Sequence, residues 1–330
     1  MAKVGRREQA AQSLRISNDG SPAALDRVRK TLKGTDPYLI AAAAKLCAVS
    51  GYEALRDELV TTFDRLVGRG QLGDPNCQAK GAVLDALKVL GHDDPAVYLS
   101  GVRLFQYDPS WGKPEETAGI VRSIGALALV ESSIPFEQLL CALGPLLFDA
   151  SPRVRSDAVR ALGACGRWEA NLLIELKVIA GDSDPMVYGD CFVELLNYDA
   201  SRYLGLVTPF IDSEDPDLRL QAACSLSESS NPQGTEALIE SCGDQVETPD
   251  LEMRFLAVGR SRHDIALPFL LEQLQRGIGE RRALALIAVL KGPQADRLAE
   301  RMEAAVVSLA DTDRDKSRLL KLIRTVCVGA

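Results

Sequence analysis

Histidine, aromatic side chains and long apolar runs are all scarce in this 330-residue chain. There are two histidines, aromatics make up 5% of residues, and the apolar stretches, such as Ile124–Val130, are short. The histidines, His92 and His263, have no second histidine and no cysteine pair at ligand spacing. A zinc centre takes three or four convergent ligands, so none is expected. The apolar runs are too short to cross a bilayer, so no membrane insertion is expected. The eight cysteines are scattered singly with no Cys-x-x-Cys pair. That pattern predicts buried, reduced thiols in a cytoplasmic protein, not a disulfide frame or metal site. A basic surplus is also missing. The 38 basic and 46 acidic residues give a net charge of −8, which argues against a general nucleic-acid binder.

Residues 1–20 carry charge without an apolar core, and read as an N-terminal arm or cap, not a secretory leader. Through Lys33 the arm holds Lys3, Arg6, Arg7, Arg15, Arg27, Arg29, Lys30 and Lys33 against Glu8, Asp19 and Asp26. A solvated cap helix is the favoured reading, with contact to an acidic partner as the alternative. Apolar residues at 46% and charged residues at 25% suit a folded protein with a real core. With few aromatics, Ala and Leu must fill that core, and both favour helix.

One pattern recurs. A capping residue precedes proline, and an amphipathic run follows, at Asp36-Pro37, Asp74-Pro75, Ser151-Pro152, Asp184-Pro185, Asp215-Pro216 and Thr248-Pro249. Lys113-Pro114 fills the gap in the series with a poorer cap. The intervals run from 31 to 39 residues. The cap accepts a hydrogen bond from the first helical turn, and proline is tolerated at the first position because its missing N–H would have no partner there. Each pair therefore predicts a helix start. After Pro152, Val154, Ala158, Val159, Ala161 and Leu162 form one apolar face; after Pro216, Leu218, Ala222, Ala223 and Leu226 form another.

A partner helix fits before each of these. The candidates are 22–33, 52–67, 95–106, 135–148, 168–180, 201–211, 232–241 and 264–276, and the tail adds 294–310 and 314–327. A two-helix unit repeating at this period predicts an all-α solenoid of about nine helical hairpins, with no strand, each unit packing on its neighbours. The reading is one domain over 1–330, closed by the arm at 1–20 and by capping helices at 294–330.

The segment Asp149-Ala-Ser-Pro-Arg-Val-Arg155, continuing to Ala158-Val-Arg-Ala-Leu162-Gly163, resembles a HEAT repeat of the short bacterial kind. Asp215-Pro-Asp-Leu-Arg219 with Ala222, Ala223 and Leu226 is similar. The resemblance covers nearly the whole chain. It implies a right-handed superhelix and a ladder of Asp–Arg contacts between repeats, carried by an arginine three residues after the proline. Arg155 and Arg219 match that position, while Ile40, Gln78, Thr117, Tyr188 and Glu252 do not, so the ladder is partial. It also implies that second helices line a concave face where partners bind. Arg153, Asp157 and Arg160 share the polar side of one such helix, and Lys45 and Arg122 stand at the position equivalent to Arg160.

Two further strings stand out. Gly68-Arg-Gly70-Gln-Leu-Gly73 matches G-x-G-x-x-G, with Asp93 20 residues on. A dinucleotide site would put Pro75 inside the first turns of its helix, and no strand–helix alternation follows, so the string reads as an inter-helix turn. The segment Phe105-Gln-Tyr-Asp-Pro-Ser-Trp-Gly-Lys113 concentrates Phe105, Tyr107 and Trp111 in an aromatic-poor chain. Either it folds over its own repeat, or Tyr107 and Trp111 anchor a partner.

No catalytic residue, metal or organic cofactor is expected. The function expected is a non-catalytic scaffold that binds a protein partner through Lys45, Tyr107, Trp111, Arg122, Arg153, Asp157 and Arg160. The rival expectations are an enzyme or subunit resembling the bilin lyases, and a helical-repeat nucleic-acid binder, which the net charge opposes.

Overall fold

The computed structural model describes residues 2–16, 21–243, 245–293, 295–309 and 312–328. The side chains of Lys3, Arg6, Arg15 and Cys327, and residues Asp19, Gln294 and Ala310, lie outside the described residues. The chain divides into two compact units, Met1–Leu173 and Ile174–Ala330.

The first unit holds α1 (Ala2–Ile16), α2 (Pro22–Leu32), α3 (Pro37–Ser50), α4 (Arg56–Gly73), α5 (Gln78–Val89), α6 (Pro95–Val102), α7 (Gly119–Val130), α8 (Phe136–Leu143) and α9 (Pro152–Ala164). Helices α3, α5, α7 and α9 pack side by side in one row, and α2, α4, α6 and α8 lie behind them, each against its own partner. The division falls within α10 (Trp168–Ala180). The second unit continues with α11 (Pro185–Val207), α12 (Pro216–Glu228), α13 (Pro232–Glu240), α14 (Thr248–Arg260), α15 (Ala266–Arg276), α16 (Glu280–Leu290), α17 (Ala295–Val307) and α18 (Asp313–Val328). Here α11, α12, α14, α16 and α18 make the row, backed by α13, α15 and α17. Each unit is an all-α solenoid array of antiparallel pairs.

The cap–proline starts explain most of this. Ser21, Asp36, Asp94, Asp184, Asp215 and Asn231 each accept a backbone N–H of the first turn. The expected break ahead of residue 201 is real. Asp199 leaves helical geometry inside α11, and its carboxylate caps the continuation by accepting the N–H of Arg202 at 3.1 Å. The core is Ala- and Leu-rich, as the composition requires, with Ala43, Ala44, Leu84, Leu162 and Ala222 fully buried.

Five expectations need correction. Ser151 stands at the start of α9 without accepting a cap bond through its side chain, and Thr248 is the first residue of α14, whose start has no side-chain cap. Lys113-Pro114 starts no helix: it lies in the turn of a small antiparallel hairpin in which β1 (Tyr107–Asp108) pairs with β2 (Glu115–Glu116). That hairpin is the one strand pairing among the described residues, where none was expected. Helix α16 was missed, because it follows Gly279 and has no proline to mark it.

The expected Asp–Arg rung between repeats is seen at Arg219. Arg219 donates from Nε to Asp250 in the next pair at 2.9 Å and from Nη1 to the Ser213 carbonyl at 2.8 Å. Arg155 makes the equivalent backbone bond to Asp149 at 2.9 Å.

Candidate functional site

The hairpin between α6 and α7 is held by a buried polar foot, and that foot begins in α4. Gly70 adopts φ 53 and ψ −140, a conformation open to glycine but strained for other residues, and so breaks the helix. Its carbonyl then accepts from Lys80 Nζ at 3.2 Å. The G-x-G-x-x-G string therefore closes a helix and supports a lysine, with no strand before it. Asn76 and Cys77 follow with φ of 59 and 53, two successive non-glycine residues in the left-handed region. Such residues cost on the order of 1–3 kcal/mol each, and they persist where the surroundings over-determine them.

What determines them is visible. Asp74, wholly buried, accepts from the N–H groups of Ala79 at 3.0 Å and Lys80 at 2.8 Å. It thus caps α5 from a distance; at Pro75 itself only a short 3-10 turn, Pro75–Cys77, begins, and not the α-helix that the repeat pattern suggested. Asn76 donates its N–H to Asp108 Oδ2 at 2.8 Å. Lys80 is also wholly buried, with Nζ 3.0 Å from Gln106 Oε1 and 3.6 Å from Asp74 Oδ2. Gln106 donates in turn from Nε2 to the Asp74 carbonyl and to Asp108 Oδ2, both at 3.0 Å. Thr117 closes the foot with a 2.5 Å bond from its hydroxyl to Asp108 Oδ2.

These contacts set the electrostatics. Burial alone would raise the Asp108 carboxyl, but hydrogen bonds from Thr117, Gln106 and the Asn76 N–H, with the Lys80 charge, hold it below the usual range. Burial pushes the Cys77 thiol up to about 11, against the pull of Lys80. Cys77 is wholly buried, with its sulfur beside the Thr117 hydroxyl.

Arg122 forms the second half of the foot. Its five N–H groups meet five acceptors. Nε and Nη2 fork onto Asp149 at 2.8 and 3.0 Å, Nη1 and Nη2 onto Glu116 at 3.0 and 2.9 Å, and Nη1 also reaches the Leu104 carbonyl at 2.8 Å. The side chain is 1% exposed, and the guanidinium lies 4.2 Å from the centre of the Phe105 ring. Burial disfavours the Glu116 carboxylate, yet the bonds from Arg122 and from the Ala118 and Gln106 N–H groups hold it below its ordinary value. Arg122 was expected on an open polar face. It is instead the buried tie between the hairpin and the following helical pair, because the inserted hairpin folds over this position.

From Phe105 to Pro109 burial alternates with the period of a strand, in the reverse of the usual sense. Gln106 and Asp108 point inward, while Phe105 and Tyr107 are 58% and 59% exposed. Trp111, next to the left-handed Gly112 at φ 107, is 105% exposed and packs on nothing.

The other expected site residues fall elsewhere. Arg153, Asp157 and Arg160 lie together on α9, with Asp157 paired to the two arginines at 3.7 and 3.5 Å and itself 7% exposed. Lys45 is exposed on α3, beside a hollow of about 290 Å³ shared with Ala11, Tyr38 and Gln78. Sequence reading missed Lys80, Gln106, Asp108 and Thr117. The available signal was the lysine in the middle of an apolar run in α5. Among the described residues no three His, Cys, Asp or Glu side chains stand together as metal ligands, and no helix is long and apolar enough to cross a membrane.

No protein-family model matches the chain, and no curated protein matches it. Among solved structures it is similar to the complex of CpcE and CpcF of phycocyanin lyase from Nostoc sp. PCC7120. The identity is 14% over 94% of this chain and 97% of that one, with a TM-score of 0.34. It is also similar to Kap95p, solved with RanGDP, at 14% identity over 97% of this chain and 52% of that one, with a TM-score of 0.40. The solenoid arrangement of this chain is read from its own helices and their packing.

Proposed function

We propose that the chain is a non-catalytic helical-repeat scaffold that binds a protein partner, and that the 105–116 hairpin is its anchor. One observation carries this reading: the hairpin is inside out. It buries Gln106 and Asp108 and leaves Phe105, Tyr107 and Trp111 in water, in a chain with few aromatics. Exposed aromatic surface disfavours the free protein, at roughly 25 cal/mol per Å² relative to burial. A hairpin that merely joined α6 to α7 would gain by the opposite arrangement. Tyrosine and tryptophan on a rigid support are the residue types that carry binding energy at protein interfaces. The polar residues of α9 and Lys45 are outlying surface that would add orientation and association rate more than affinity.

The test compares binding and folding in one variant. Trp111→Ala should leave the thermal midpoint unchanged, since the ring packs on nothing, and should weaken partner binding by about 2 kcal/mol or more. A lower midpoint with unchanged affinity would show that the ring packs on its own repeat, and would refute the anchor.

A further inference from the structure

Resting on the anchor reading above, we infer that the ligand of the hairpin is a proline-rich segment of a partner protein in the polyproline II conformation. The first reason is size. The exposed fractions of Phe105, Tyr107 and Trp111 are 58%, 59% and 105%. At roughly 150–250 Å² per aromatic side chain they offer about 350–550 Å² of ring surface. Stable globular pairs bury about 800 Å² on each side, so this ridge matches a narrow ligand better than a folded face or a second copy of the chain.

The second reason is the shape of the support. Strand addition draws its affinity from main-chain bonds along an edge, and this ladder is only two pairs long, Tyr107–Glu116 and Asp108–Glu115. The backbone of Gln106 is already engaged, its N–H with Glu116 and its carbonyl with the Thr117 N–H. A polyproline segment has a solvated backbone with no internal hydrogen bonds, and its flat rings pack on exposed aromatic faces such as these.

The third reason is hydrogen-bond polarity. The acceptors Gln106, Asp108 and Glu116 are turned toward Lys80, Asn76 and Arg122. The outward rings supply donors, the Tyr107 hydroxyl and the Trp111 indole N–H. A proline run offers carbonyl acceptors and has no N–H to leave unmatched. The exposed charges of the hairpin, Lys113 and Glu115, oppose one another, which suits an uncharged ligand. Both sides are also ordered before they meet, so little conformational freedom is lost on binding.

The test uses the full chain carrying Trp168→Phe, which leaves Trp111 as its one tryptophan, since the chain has two. A deca-proline peptide should shift Trp111 emission to the blue in a saturable way, and an alanine–serine peptide of equal length should not. By calorimetry, Trp111→Ala and Tyr107→Ala should each weaken deca-proline binding about tenfold or more, with unchanged thermal midpoints. No saturable response at millimolar peptide, or equal binding of the control peptide, overturns the inference. Capture of a native partner that lacks a proline run, lost in Trp111→Ala, also overturns it while leaving the anchor standing. If no partner of any kind depends on Trp111, both fall together.

Discussion

Replacing Arg122 by methionine keeps the apolar stem and removes the fork. Five acceptor contacts lose their donor at once, and two carboxylates, Asp149 at 3% exposure and Glu116 at 21%, are left facing each other. Removing one partner of a buried ion pair costs about 3–5 kcal/mol, chiefly from the charge left without compensation. For a unit of this size each kcal/mol moves the midpoint by about 2–4 °C, so the expected loss is about 6–20 °C by calorimetry. Arg122→Lys retains a charge but has three donors for five acceptors, and should cost about 1–3 kcal/mol. Adding Glu116→Gln and Asp149→Asn to the methionine variant should recover most of the loss, because the stranded charges are then gone. A methionine variant within about 3 °C of the parent would refute the argument that Arg122 holds the foot together.

Leu162→Ala opens a cavity in a fully buried site and should cost about 2–5 kcal/mol, read as a drop in the denaturation midpoint; a negligible change would contradict its burial. The Glu116 and Asp108 carboxyls titrate below their ordinary values of 4.5 and 3.8, so their stabilisation is present above those values and is lost as pH falls through the lower folded ones. The midpoint should therefore decline progressively below about pH 4.5, less steeply in Arg122→Met, and a flat profile down to about pH 2 would count against both assignments. Cys141 is exposed, whereas burial pushes Cys47 up to about 12 and Cys242 up to about 11. In a Cys327→Ser background at neutral pH, Cys141→Ser should abolish the fast phase of thiol labelling, and an unchanged fast phase would place the reactive thiol elsewhere.

Helix starts were legible because their cause is local. Asp36, Asp184 and Asp215 cap the residues immediately after them, and a proline fixes the first position. The rung from Arg219 to Asp250 was legible because it repeats a spacing. Asp74 looked like its counterparts yet serves α5 through Ala79 and Lys80, since two left-handed residues separate it from the helix. The break came from Arg122. Its repeat position assigned it to a polar face, but the inserted hairpin supplies Leu104 and Glu116 as partners that no periodicity announces. The aromatic cluster itself was plain in the sequence. Its inverted burial was not, because the polar foot is assembled from α4, α5 and the hairpin, and the bond from Asn76 that helps pull Asp108 inward spans 32 residues.

The fork of Arg122 has a mechanical consequence. On one side it grips the hairpin through Leu104 and Glu116, and on the other it grips Asp149, which precedes α9. The ridge is thus geared to the joint between two neighbouring helical pairs. A flexing motion that changed the separation of α7 and α9 would have to stretch the fork or carry the ridge along with it. Strain at that joint therefore reaches the base of the hairpin through Arg122, while Lys80 and Asn76 hold its other side to the preceding pair.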